Sequence, residues 1–388
     1  MRMPTSLKDI LCIIQFSIII AHNPQLTQRM KLNWNLIAPS PDPNHGVPLS
    51  RSSHGVSAVH SSNDDKNNVR IYIYGGENVA RTPMNDTQST WCASQVVGEN
   101  GNVSWKWTSV DSSSTKPPKR VGHAQCAVGS NIYMFGGRSG KAMGESALND
   151  MWVLDCSIPG KEEWKEVTYS NAGSIAPPEP RSYHKMVSDG ERHLYVFGGC
   201  GVNGRLADLH KFDLETKTWS NFGSSNLLAG RGGANFLLID DGKKLAVVAG
   251  FVGKETSDGH VFNLESEKWE DEALDGLGSM RPRSVCVSDT VKVGNDEVGF
   301  IFGGEVDPSD KGHEGAGAFE NDVILLDGTS AMISDNLKSE SEGEWPQNRG
   351  WADGSAGKTG EFYLFGGLAG DDEHPERLGD LWKCTLSY

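Results

Sequence analysis

Short runs of β-branched and aromatic residues recur along the chain, and six of them close on two small residues. These are Tyr74-Gly75-Gly76, Phe135-Gly136-Gly137, Phe197-Gly198-Gly199, Val248-Ala249-Gly250, Phe302-Gly303-Gly304 and Phe365-Gly366-Gly367. Their second small residues fall at 76, 137, 199, 250, 304 and 367, giving spacings of 61, 62, 51, 54 and 63 residues. A period of this length is too long for most helical solenoids and points to a repeat made of strands. An arginine lies 16 to 24 residues before each pair: Arg51, Arg120, Arg181, Arg231, Arg283 and Arg349, each leading into a short apolar strand. Downstream, Asp150-Met151-Trp152-Val153-Leu154-Asp155, Asp208 to Asp213, Asp322 to Asp327 and Asp380-Leu381-Trp382 alternate polar and apolar residues, the period of a half-buried strand. Trp105, Trp164, Trp219 and Trp269 then mark fourth strands.

Six four-stranded repeats make an all-β chain, and a ring of blades is stable only if it closes, because an open array leaves an unpaired edge strand at each end. The last repeat stops after a third strand, whereas Lys31-Leu32-Asn33-Trp34-Asn35-Leu36-Ile37 resembles an isolated fourth strand ahead of the first repeat. The expected fold is a six-bladed β-propeller over residues 31–388, closed by the N-terminal strand with Trp34 in the sixth blade. Residues 1–30 are expected to be an extension or a signal segment.

The net charge of −15 argues against a general nucleic-acid binder, since neutralising phosphates needs concentrated basic surface. Residues 10–21 form an apolar run after Arg2 and Lys8, too short for a membrane span and of the length of a signal-peptide core. The seven cysteines contain no CxxC pair, and Cys126 and Cys286 sit among Ala and Val in first strands, as buried thiols do. Cysteine usage favours the cytoplasm; secretion is the alternative that residues 1–21 leave open.

In a four-stranded antiparallel blade, the segment entering strand one and the connection from strand two to strand three open on the same face. The six arginines and the residues after the paired glycines therefore crowd one mouth, which holds Glu77, Arg138, Cys200, Glu305, Asp307, Asp310 and His313. Each opening arginine has two readings: a tie between neighbouring blades, its fixed N–H groups donating to backbone carbonyls or carboxylates, or a ligand for a small anion. Arg138 stands outside the repeating position and suits paired hydrogen bonds to sulfate, phosphate or carboxylate. The loop Glu305-Val306-Asp307-Pro308-Ser309-Asp310-Lys311-Gly312-His313 carries carboxylates and an imidazole, the ligand types of a non-haem Fe(II) site. Asp371-Asp372-Glu373-His374 reads more simply as a polar loop.

The repeat pattern resembles Kelch propellers. Within that class, Phe135-Gly136-Gly137-Arg138, Arg181-Ser182-Tyr183-His184, Arg231-Gly232-Gly233-Ala234, Gly250-Phe251, Arg283-Ser284-Val285, Gly304-Glu305 with Gly312-His313, and Arg349-Gly350-Trp351 are similar to the plant nitrile-, epithio- and thiocyanate-forming specifier proteins. The resemblance implies an iron(II)-dependent activity that directs a sulfated glucosinolate aglucone toward a nitrile or related product. It implies a catalytic, substrate-binding role for Arg138, helped by Arg51, Arg120, Arg181, Arg231, Arg283 and Arg349, and iron ligation by Glu305 and His313. The family pattern Glu-x3-Asp-x3-His meets Ser309 at its middle position, so Asp310, or failing that Asp307, is the expected substitute. The competing reading is a non-catalytic protein-interaction scaffold, with the acidic loop from Lys338 to Glu344 as its contact surface.

Overall fold

The computed structural model describes residues 30–60, 68–85, 89–98, 100–110, 115–141, 145–170, 175–333 and 344–388, with the side chains of 313, 332 and 333 also left aside. The N-terminal extension, most of the 338–344 loop and the signal-type run lie outside these residues. Among the described residues no helix is long and apolar enough to cross a membrane.

Six four-stranded antiparallel sheets form the ring, each ordered from an inner first strand to an outer fourth strand. The inner strands are Gly55–His60, Ala124–Val128, Lys185–Ser188, Asn235–Ile239, Val287–Val293 and Asp353–Ala356, and each neighbours the next around the axis, the last returning to the first. Closure is as the chain pattern predicts. Lys31–Ile37 pairs antiparallel with Pro375–Ser387, with Trp34 opposite Cys384. Trp34 is 1% exposed, and its ring packs 5.1 Å from that of Phe302 in the fifth blade, so the N-terminal strand both completes the sixth blade and seals it to its neighbour.

The paired small residues put an irregularity into the second strand, which in four blades runs on through them still paired with the third. Their first member is left-handed but accessible to other residues, as Ala249 at φ 59° shows. The second is not: at Gly76, φ 88°, an added Cβ would lie 2.7 Å from the Ser52 carbonyl oxygen, hence the glycine at all six second positions.

Where the six entering segments meet at the axis, their backbones close a ring of hydrogen bonds. Ser53 N–H donates to Trp351 O, Gly122 to Ser53, Tyr183 to Gly122, Gly233 to Tyr183, Val285 to Gly233, and Trp351 to Val285, at 2.6 to 3.0 Å. All six residues are left-handed, with φ between 50° and 60°, including the β-branched Val285. That conformation costs of the order of 1 to 2 kcal/mol for a residue with a Cβ, and each bond of the ring holds it in place. The ring separates two cavities of about 490 Å³ each. One is the bore, where Lys185 of the third blade reaches across the axis to Asp353 of the sixth at 3.4 Å. The other is the mouth.

Candidate functional site

The opening arginines form a layer beneath the mouth. All six are at most 1% exposed, and none lines the mouth cavity. Each donates from Nε to the carbonyl two residues earlier and from Nη1 to the first small residue of its own blade, at 2.8 to 3.1 Å. Five then make a forked pair with an aspartate in the third strand or, for Asp150, just before it: Arg120 with Asp150, Arg181 with Asp208, Arg231 with Asp258, Arg349 with Asp380, at 2.7 to 2.9 Å, and Arg283 with Asp322 in the same way. The guanidinium fork thus ties the entrance of strand one to strand three of the same blade: these residues are structural ties, but within a blade rather than between neighbouring blades. Asp150, Asp208, Asp258 and Asp380 are held below the usual carboxylate range by these arginines, against the opposing effect of burial.

The mouth cavity is lined instead by Arg138, by two further arginines, Arg81 and Arg205, and by Lys141. Arg138 is 3% exposed; its Nη1 donates to Lys141 O at 2.9 Å and its guanidinium lies 5.4 Å over the Tyr183 ring. Arg205 stacks over Phe251 at 4.5 Å. Tyr183 meets Trp351 edge to face at 5.3 Å, giving the cavity an apolar floor directly above the backbone ring. Stacking on these rings orients both guanidinium planes. Cys200 joins the lining, its thiol pushed up by burial.

The opposite wall comes from the fifth blade. Glu305 is held in an extended bridge with Ser284 and is 7% exposed; burial first, and then the Glu255 carboxylate, push its acid up to about 8. Its carboxyl therefore contributes little negative charge at neutral pH in a cavity bordered by arginines. Glu77 is buried against Ser52, the Arg81 N–H and Arg377 rather than in the cavity.

The iron ligands expected from the sequence do not all come together. Ser309 lines the cavity, so the family's aspartate position does face the site, but it carries a hydroxyl that accepts from the Lys311 N–H at 3.0 Å. Asp310, the expected substitute, is exposed and outside the lining, because the turn that follows Ser309 points the next side chain to solvent. Asp307 is exposed too and paired with Arg281. His313 lies in the single turn Gly312–Glu314, and its side chain is outside the described residues. Among the described residues no three His, Cys, Asp or Glu side chains group as metal ligands, and of the expected donors whose side chains are described only Glu305 lines the cavity.

Arg81, Arg205 and Lys141 were not singled out by sequence reasoning. The available signal was position: Arg81 and Arg205 follow Gly76 and Gly199 within six residues, in the same connection between strands two and three that supplies Arg138.

A closed ring of four-stranded blades with these repeats is a Kelch propeller. The profile of the KLHDC2/KLHL20/DRC7 Kelch-repeats domain matches residues 27–173 and 102–304, and the chain belongs to this family. It is 26% identical over 332 residues to an N-(sulfonatooxy)prop-2-enimidothioate sulfolyase of Thlaspi arvense, covering 79% of this chain and 84% of that protein. A putative adagio-like protein 2 of Oryza sativa subsp. japonica is 32% identical over 47% of this chain, which spans only 26% of that longer protein. The solved structure of YjhT superposes with a TM-score of 0.57 at 18% identity, covering 88% of this chain and 98% of that one, a likeness of fold.

Proposed function

We propose that the mouth cavity binds a small organic anion and that the protein is specifier-like, acting on a sulfate ester of the kind named in the Thlaspi arvense relative. The carrying observation is the grouping of Arg81, Arg138 and Arg205 around one cavity of a chain with net charge −15. In this reading Arg138 and Arg205 hold the sulfate oxygens by forked hydrogen bonds, while Phe251, Tyr183 and Trp351 take the apolar remainder. When the N–O bond of a sulfonatooxy imidothioate breaks, its electron pair leaves with sulfate, and for a nitrile product the C–S bonding pair becomes the third C–N bond as sulfur departs in the zero-valent state. Fixed guanidinium groups bind that growing charge better in the transition state than in the ground state, which is how they would accelerate the step. Fe(II) would be a Lewis acid toward the thiolate end, but the described donors do not form a site for it, and no step of this reading passes through iron.

Thermal unfolding with added sulfate, followed by product analysis after incubation with the sulfated imidothioate, tests the proposal. Sulfate should stabilise the parent by mass action, and Arg138→Ala should remove most of that effect while Lys268→Ala, on an exposed outer strand, should not. Parent and Arg138→Ala responding alike would leave Arg138 a structural residue and favour the interaction-scaffold reading.

A further inference from the structure

The first blade breaks the rule that the other five obey. Arg51 is 0% exposed and makes the two carbonyl bonds of its class, but Nη2 has no hydrogen-bond partner. Burial alone pushes its guanidinium down to about 9. Strand register identifies what is missing. Gly136 N–H donates to Asp150 O in the second blade, and Gly75 N–H donates to Ser89 O in the first, so Ser89 occupies the aspartate's place. The neighbouring pairings agree, Phe135 with Met151 and Tyr74 with Thr90.

A second orphaned donor belongs to the same position. In the second and sixth blades the aspartate also accepts from the indole N–H two residues on, Trp152 to Asp150 at 2.7 Å and Trp382 to Asp380 at 2.6 Å. In the third blade His210 does the same to Asp208. The first-blade equivalent, Trp91, is 0% exposed and its Nε1 is without a partner. Arginine and indole thus present the donors that meet a carboxylate in other blades, at a position where this blade carries a serine. Leaving a buried cation and a buried N–H both unpaired is costly, whereas an anion of the size of the two lost oxygens satisfies both.

We propose that the first blade binds a small monovalent anion, a halide or a formate-sized carboxylate, between Arg51 Nη2 and the Trp91 indole N–H. This site is separate from the mouth cavity, of which neither residue is part. Two measurements on the full chain test it. Crystals soaked in bromide should give an anomalous peak between the two donors, and no peak there overturns the proposal. In solution, replacing potassium gluconate by potassium chloride at constant ionic strength should raise the parent's Tm saturably by a few degrees. Ser89→Asp should start at the higher Tm and no longer respond to chloride; a full parental response in that variant overturns the proposal. Arg138→Ala should keep the chloride response while losing that to sulfate, so this site and the proposed function stand or fall separately.

Discussion

The layer under the mouth and the wall of the mouth are both built on arginine, and they use it in opposite ways. Below, a guanidinium at most 1% exposed spends its N–H groups on fixed carbonyls and, in five blades, on a chelating aspartate. Above, Arg138 and Arg205 rest their planes on Tyr183 and Phe251 and line a cavity. What separates the two sets is whether the side chain lines the cavity, which neither residue type nor proximity to the axis decides.

The lower layer is where substitution should cost most. Asp208→Asn removes the charge opposite Arg181 and also the acceptor for His210. Breaking one side of a buried ion pair commonly costs about 3 to 5 kcal/mol, and urea unfolding should show a loss in this range. A loss below about 1 kcal/mol would erase the distinction between tie and ligand arginines.

Acid should then divide the lower layer into halves. His54, His123 and His184, three residues after their arginines, wedge edge to face against Phe365, Tyr74 and Phe135 of the preceding blades. The remaining three junctions carry Ala234, Cys286 and Ala352 at that place. Burial, aided by the nearby arginines, keeps these imidazoles well below their ordinary range, His123 at about 3. Because the unfolded chain takes up the proton first, at about 6.5, their contribution is complete above that pH and is lost as pH falls below it, for His123 down toward about 3. Each neutral histidine should add a slope of about 1 kcal/mol per pH unit in this window. Unfolding free energies at pH 7 and pH 5 should differ less in His123→Ala than in the parent; an undiminished difference would place the acid sensitivity elsewhere.

The ring and its closure by Lys31–Ile37 were legible because they follow from period and alternation; the mouth was legible only in part, since of the residues expected there and described, Arg138, Cys200 and Glu305 line the cavity and the six opening arginines do not. Whether an arginine ties or presents was not, since the answer rests on a partner 27 to 39 residues away and on the aromatic ring beneath it. The fifth-blade loop was legible only as composition. Ser309 and Asp310 are neighbours in sequence, yet one faces the cavity and the other solvent, and only the turn's geometry separates them.

In the upper wall, removing a presenting arginine should change ligand response far more than stability. Arg205→Ala loses a stacking contact with Phe251, worth about 0.5 to 1 kcal/mol at an accessible site. It should nonetheless reduce the stabilisation by sulfate about as much as Arg138→Ala does. A loss of stability comparable with that of Asp208→Asn would assign Arg205 to the lower layer in all but position.

The smallest effect on the fold, and the sharpest test of the wall's chemistry, is expected at Ser309. An aspartate there restores the family spacing from Glu305 and faces the cavity, but it also stands close to the Asp372 carboxylate, which flanks the same Gly315. Like charges so placed should cost under about 1 kcal/mol without a cation and should favour a divalent one with it. Anaerobic titration should therefore show tighter Fe(II) binding in Ser309→Asp than in the parent, with an Fe(II)-dependent rise in Tm confined to the variant. Asp310→Asn should leave any Fe(II) binding of the parent unchanged, because that carboxylate is exposed and outside the cavity. Loss of Fe(II) binding in Asp310→Asn would mean that the loop rearranges to bring Asp310 inward, and the wall would then be a metal site with a displaced ligand rather than an anion site beside a neutral serine.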